Sequence, residues 1–284
     1  MKYAADFRKI ARDALHGHWI IAALTCFIAS LIGASIVTSG GIGSINVGNN
    51  ESSSTGPSGE TATFQELLPA IIIIAAVGLF VGLIVIAIHL AVGGPAKLGY
   101  AKFNLSLVDK EEARVGDLFS QFGRFADGFL MQLLTELYIG LWSLLFIIPG
   151  IVKSFSYSMT PYILYENPNL SANEAITESR KIMDGNKGRL FCLQFSFIGW
   201  YLLASVPAFI VSSITAIAAI ITSSIIVTAI GALLLIPAVI VELVAIYFIS
   251  AYQEAAQAAF YREITGTALE YREQPEIPET NETM

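Results

Sequence analysis

The first helical period in the chain is mixed. Phe7, Ile10, Ala11, Ala14 and Leu15 recur on one helix face, with Lys2, Arg8, Lys9 and Arg12 between them. That spacing predicts a short amphipathic helix at a membrane surface. Long apolar runs follow. Residues 19–38, 68–92 and 128–148 each carry about the 20 apolar residues that a helix needs to cross a bilayer. Between the first two lies a Gly-, Ser- and Asn-rich stretch, 40–64, without Lys or Arg, which reads as a flexible external loop. Before the third lies a basic connector, 94–127. Within it Leu118, Phe119, Phe122, Phe125 and Phe129 are expected on one face of an interfacial helix.

The run 128–148 ends at Pro149-Gly150, and the chain continues as "IVKSFSYSMTPYILYEN". Pro cannot continue a helix comfortably and Gly relaxes the backbone, so the pair predicts a turn. Hydropathy alone leaves the next segment ambiguous, and the placement of Lys and Arg decides. If 151–165 crosses back as a short, kinked span, all of the 16 Lys and Arg except Lys153 fall on one side. Lys153 then sits near the opposite mouth, where its stem can snorkel.

Ser171 and Glu174 fit a capping box, so a helix should start there and end at Gly185. Residues 190–252 are almost uncharged and read as two long spans, 190–213 and 225–252, joined by a short apolar loop. The expected architecture is all-α: a polytopic helical membrane protein with about six transmembrane helices and amphipathic interfacial helices. It forms one domain over 1–265 with an acidic disordered tail over 266–284. An even span count puts both termini in the cytoplasm of a multi-pass plasma-membrane protein.

Composition agrees with a lipid solvent. The chain is 55% hydrophobic and 14% charged, against about 25% charged in soluble domains; its mean hydropathy is +0.65. Cys26 and Cys192 have neither a partner motif nor metal-ligand spacing. His16, His18 and His89 stand apart from any second ligand, so no metal or cofactor is expected, and no nucleophilic triad is visible. The basic groups are small, dispersed and membrane-adjacent, which argues against nucleic acid.

The candidate polar residues lie in or beside the spans. Glu136 and Glu242 are expected ~12 and ~15 Å from the inner surface at 1.5 Å per residue. Intramembrane carboxylates are costly and often functional. They are read either as a pair in an ion-coupled transporter or as protonated groups bonded to Gln132, Gln194 or a Tyr. Arg180, Lys181, Lys187 and Arg189 are candidates for contact with anionic lipid headgroups, worth about 1 kcal/mol each. Gly78 and Gly82 form a GxxxG, expected to pack helices within the chain rather than between two copies.

The stretch from Trp142 to Trp200, with "LHGHW", "LFSQFGRF" and "AAFYREI", resembles a bacterial membrane family known as domain-of-unknown-function family 975. More distantly, "IIPGI" followed by "EAITESRKIMDGN" is similar to the membrane domain of some glycerophosphodiester phosphodiesterases. These resemblances imply a multi-span helical fold and supply no catalytic residues. The expected function is a non-enzymatic membrane protein with an envelope, lipid-binding or partner-binding role. The alternatives are a small ion-coupled transporter and a membrane-embedded lipid enzyme. A protein partner or homo-oligomer is left open.

Overall fold

A computed structural model describes residues 3–32, 64–222 and 225–266. The expected loop 40–64 except Phe64, the end of the first span and the acidic tail from 267 lie outside the described residues. Nine α-helices carry the described chain. They are α1 (Ala4–Leu15), α2 (Trp19–Ile32), α3 (Phe64–Val108), α4 (Phe125–Leu145), α5 (Ile147–Tyr157), α6 (Thr160–Glu166), α7 (Ala172–Ile182), α8 (Lys187–Thr222) and α9 (Ile225–Ile264). Two 3-10 turns, Val115–Phe119 and Phe122–Arg124, lead into α4. No strand occurs among the described residues.

By length and composition, Val115–Leu145, Lys187–Thr222 and Thr228–Ile264 can each cross a membrane. The α1–α2 pair, bent by 103°, makes a fourth if counted as one span. Among the described residues that makes three or four candidates, and the expected count of about six is not confirmed. The described residues of 190–252 lie in α8 and α9, which run through Pro207 and Pro237.

Side-chain packing is uneven along these helices. The buried core gathers at one end, around Phe7, Leu15, Phe103, Met159, Phe197 and Phe260. Farther along α8 and α9, large apolar side chains such as Leu202, Phe209, Ile220, Leu233 and Val244 face outward. An apolar outer surface of this kind suits lipid rather than water. The first helix differs from expectation: its apolar stripe, Phe7, Ala11 and Leu15, is buried in the protein. Phe7 meets Phe260 edge-on at 5.2 Å, and the Tyr252 hydroxyl donates to the Arg8 carbonyl at 2.8 Å. The stripe is consumed by α9, which offered it a better-matched apolar partner than lipid.

Span two and the first part of the connector, 94–108, are also not separate. They form the single 45-residue α3, about 68 Å long at 1.5 Å per residue. Gly94 and Gly99 explain how the neighbours approach it. A Cβ on Gly94 would lie 2.2 Å from the Gly128 carbonyl of α4, and one on Gly99 2.1 Å from the Leu118 carbonyl. Around Gly78 and Gly82, by contrast, the space is open. Among the described residues the close approaches are at Gly94, Gly99 and Gly128. Leu118 is buried while Phe119 and Phe125 are exposed, so these residues do not share one face. The 3-10 turns rotate them apart.

The turn after α4 falls three residues before the expected pair. Phe146 is extended (φ −157°, ψ 143°), and α5 starts at Ile147. Pro149 and Gly150 lie in the first turn of α5, where proline's missing N–H has no helical acceptor to lose. Gly150 still matters, because a Cβ there would reach within 2.1 Å of the Ser143 hydroxyl. The return is two helices, of 11 and 7 residues, rather than one kinked span.

Helix α7 begins as expected. Ser171 Oγ accepts from the Glu174 N–H, and Glu174 accepts from the Ser171 N–H and hydroxyl. Those bonds, the backbone one first, hold the Glu174 carboxyl below its usual range. Gly185, at φ 76°, follows the helix end.

Candidate functional site

Pro95 and Gly94 pass α3 against Gly128 at the start of α4, and the two helices then flank a cavity of about 240 Å³. That volume is well above the ~10–15 Å³ needed for one water. Its walls come from α3, α4, α5, α6, α8 and α9. In a chain this apolar, the lining gathers many polar side chains. It includes Lys97, Tyr100, Asn104, Gln132, Thr135, Glu136, Gln194, Glu254 and Gln257.

The cavity has a mouth and a floor. The Glu136 side chain, 42% exposed, stands at the mouth. Its Oε1 accepts from Gln132 Nε2 at 3.0 Å and lies 3.7 Å from the Lys97 ammonium. Asn104, Gln257 and Glu254 are buried, Glu254 at 5% exposure. Gln194 donates to Gln257 at 3.2 Å, and Asn104 bonds back to the Tyr100 carbonyl at 3.0 Å.

Two hydroxyls in the lining are fully buried. The Tyr100 hydroxyl lies next to the Cys26 thiol, a weak acceptor, and makes no hydrogen bond by distance and angle. The Thr135 hydroxyl is equally buried and unpaired. Buried polar atoms are nearly always satisfied, and leaving one unmet costs about 1–3 kcal/mol.

Glu136 therefore reaches a hydrophilic cavity, and Glu242 does not line it. Glu242 is twelve residues before Glu254 in α9, ~18 Å along the helix at 1.5 Å per residue. The carboxylate brought to the cavity is Glu254. Sequence reading passed over it because it lies just beyond the uncharged run. The available signal was "YQEAAQAAF", in which Gln253, Glu254 and Gln257 share a face among alanines.

The basic quartet is largely engaged with the protein. Lys181 pairs with Glu178 at 2.9 Å and Lys187 with Asp184 at 3.7 Å. Arg189 turns inward, bonds Glu263 at 2.5 Å and lies 5.5 Å from the Phe260 ring centre. Arg189, 25% exposed, is the most enclosed of these three. The exposed pairs of Lys181 and Lys187 are weak and can exchange. No group of three or more His, Cys, Asp or Glu stands at metal-binding geometry among the described residues.

The description "Protein of unknown function (DUF975)" matches residues 1–154 and 147–268. The chain belongs to this family. The membrane domain of the glycerophosphodiester phosphodiesterases is not shown by these matches. No curated protein and no solved structure matches.

Proposed function

We propose that this family member is a non-enzymatic integral membrane protein that binds a lipid headgroup in its polar cavity. The carrying observation is the cavity itself, which gathers Lys97, Glu136 and Glu254 with several carboxamides in an otherwise apolar chain. Lys97 can meet a phosphate and Glu136 an ammonium, so the lining suits a headgroup that carries both charges. The carboxamides of Asn104, Gln132 and Gln257 add neutral donors and acceptors. An amine-bearing phospholipid headgroup fits that balance. Level also supports this reading. Tyr138, two residues from Glu136, donates to Asn173 of the polar helix α7 at 3.3 Å, so the mouth lies near headgroup height.

The protein is read as a multi-pass protein of a bacterial plasma membrane with both termini cytoplasmic, and Arg180, Lys181 and Lys187 as its contacts with anionic headgroups. The test is a thermal shift in mild detergent with short-chain phosphoethanolamine and phosphoglycerol lipids. The amine lipid should stabilise the wild type more, and Thr135→Val should remove that difference. Equal stabilisation by both lipids, or an unchanged preference in Thr135→Val, refutes the assignment.

A second reading, ion-coupled transport, now rests on Glu136 with Glu254 because both line the cavity. It requires proton-coupled solute movement in proteoliposomes that Glu136→Gln abolishes.

A further inference from the structure

The α4–α5 hairpin carries an inference about how the protein sits in its membrane, independent of what the cavity binds. The arms run antiparallel. Gly150 abuts Ser143, the Lys153 ammonium lies 4.7 Å over the Trp142 ring, and the Tyr157 and Tyr138 rings are 6.2 Å apart. Helix α7 lies across both arms at their base. Near its start, Asn173 accepts from Tyr138 of α4; near its end, the Ser179 hydroxyl donates to the Ser156 carbonyl of α5 at 2.8 Å.

Helix α7 fixes the water level. It exposes Asn173, Glu174, Thr177, Arg180 and Lys181, and such a charged face does not lie in hydrocarbon. Beyond α7 the hairpin extends only from Tyr138 to Leu145 and back from Ile147 to Ser156. At 1.5 Å per residue that is roughly 11–14 Å, whatever the tilt, against a hydrocarbon core of ~30 Å. Val115–Leu145 is long and apolar enough to cross, but below Tyr138 it packs on α3 at Gly128 and turns Gln132, Thr135 and Glu136 to the cavity.

What protrudes is nearly all apolar and uncovered. Leu144 is 86% exposed, Ile147 and Ile148 75% each, and Leu145, Phe146, Ile151 and Val152 are also exposed. Lys153 and Trp142 stack at the neck, the residue types that anchor at a membrane interface. Lys153 lies one helical turn from Ser156, which Ser179 bonds beside Arg180.

The geometry points to a half-depth wedge: the α4–α5 hairpin inserts its tip, Leu144–Ile148, into the acyl layer of one leaflet, on the α7 side, and does not cross. The occupant of the exposed apolar surface is lipid acyl chain. Two consequences follow. The crossing helices become α2, α3, α8 and α9, four in place of six, with both chain ends still on one side. Lys153, the exception under the crossing hairpin, joins Arg180 and Lys187, so that every one of the 16 Lys and Arg falls on the same side. The wedge also adds area to one leaflet beside the cavity mouth, because Ser154 and Phe155 of α5 line the cavity.

The test uses full-length protein in sealed vesicles with Cys26→Ala and Cys192→Ala as background. Asp184→Cys reports the α7 face, and Ile148→Cys reports the tip. A membrane-impermeant maleimide should label Asp184→Cys from one face only. Ile148→Cys should label from either face at less than about a tenth of that rate, since the bilayer core excludes a charged reagent, yet label fully in denaturing detergent. A bimane placed at 148 should be quenched most by lipids brominated deep in the acyl chain. Labelling of Ile148→Cys from the face opposite Asp184→Cys overturns the wedge in favour of a crossing hairpin. Labelling from the same face, or strongest quenching by headgroup-level quenchers, overturns it in favour of a tip in water.

Discussion

Replacing Arg262 with methionine removes the charge that joins three helices. Its guanidinium bonds Asp109 through two nitrogens, one at 3.0 Å, and Glu166 through a third. Asp109 follows α3, Glu166 ends α6, and Arg262 lies in the last turn of α9. The Tyr261 hydroxyl donates to the other Glu166 oxygen at 2.5 Å. The side chains are 14%, 16% and 25% exposed for Arg262, Asp109 and Glu166. Breaking a fully buried pair costs about 3–5 kcal/mol, and an exposed pair is worth at most about 1. With partial water access to both stranded carboxylates, the expected loss is about 2–3 kcal/mol. Arg262→Lys should recover part of it, because an ammonium can meet one carboxylate but cannot fork. The assay is reversible denaturant unfolding in detergent micelles, with a double-mutant cycle to Asp109→Asn. The cycle should show coupling above about 1 kcal/mol. A loss below about 0.5 kcal/mol for Arg262→Met, or additive effects in the cycle, refutes the reasoning.

Other expectations follow from single contacts. Gly94→Ala drives a Cβ into the Gly128 carbonyl at 2.2 Å, where no side chain can yield. Its destabilisation should reach or exceed the upper end of the usual ~1–3 kcal/mol for overpacking, while Gly78→Ala, in open space, should change stability by less than about 0.5 kcal/mol; unfolding in micelles compares them. Ser171→Ala should cost about 1 kcal/mol through the lost α7 cap. It should also return the Glu174 carboxyl toward its ordinary range, read by NMR titration. Because the folded Glu174 carboxyl is held low, its contribution is present above the unfolded pKa and fades as pH falls through the folded one.

Much of the fold was legible where local chemistry decides it. The Ser171–Glu174 box and Gly185 set the ends of α7, and both are short-range signals. The apolar runs announced membrane helices because hydrocarbon demands length and absence of charge. The hairpin was legible as a turn but misplaced. Pro149 favours a helix's first turn as much as a break, and Phe146, where the chain does bend, carries no turn signature. The hairpin's depth was not legible, since it depends on α7 lying across both arms through Tyr138–Asn173 and Ser156–Ser179. Amphipathic stripes said that α1 needed an apolar partner but not whether that partner is lipid or α9. Half of the carboxylate pair was legible: Glu136 stood out in an apolar run, whereas Glu254 resembled the polar end of a span until α3 and α6 were seen to enclose it.

Native mass spectrometry of protein extracted in mild detergent tests the central claim most directly. Wild-type protein should carry a bound amine phospholipid. Thr135→Leu, which fills the cavity beside Glu136 and replaces an unpaired hydroxyl with hydrocarbon, should fold with undiminished stability and lose that mass. Wild-type protein free of bound lipid, or an adduct equally abundant in Thr135→Leu, contradicts the account.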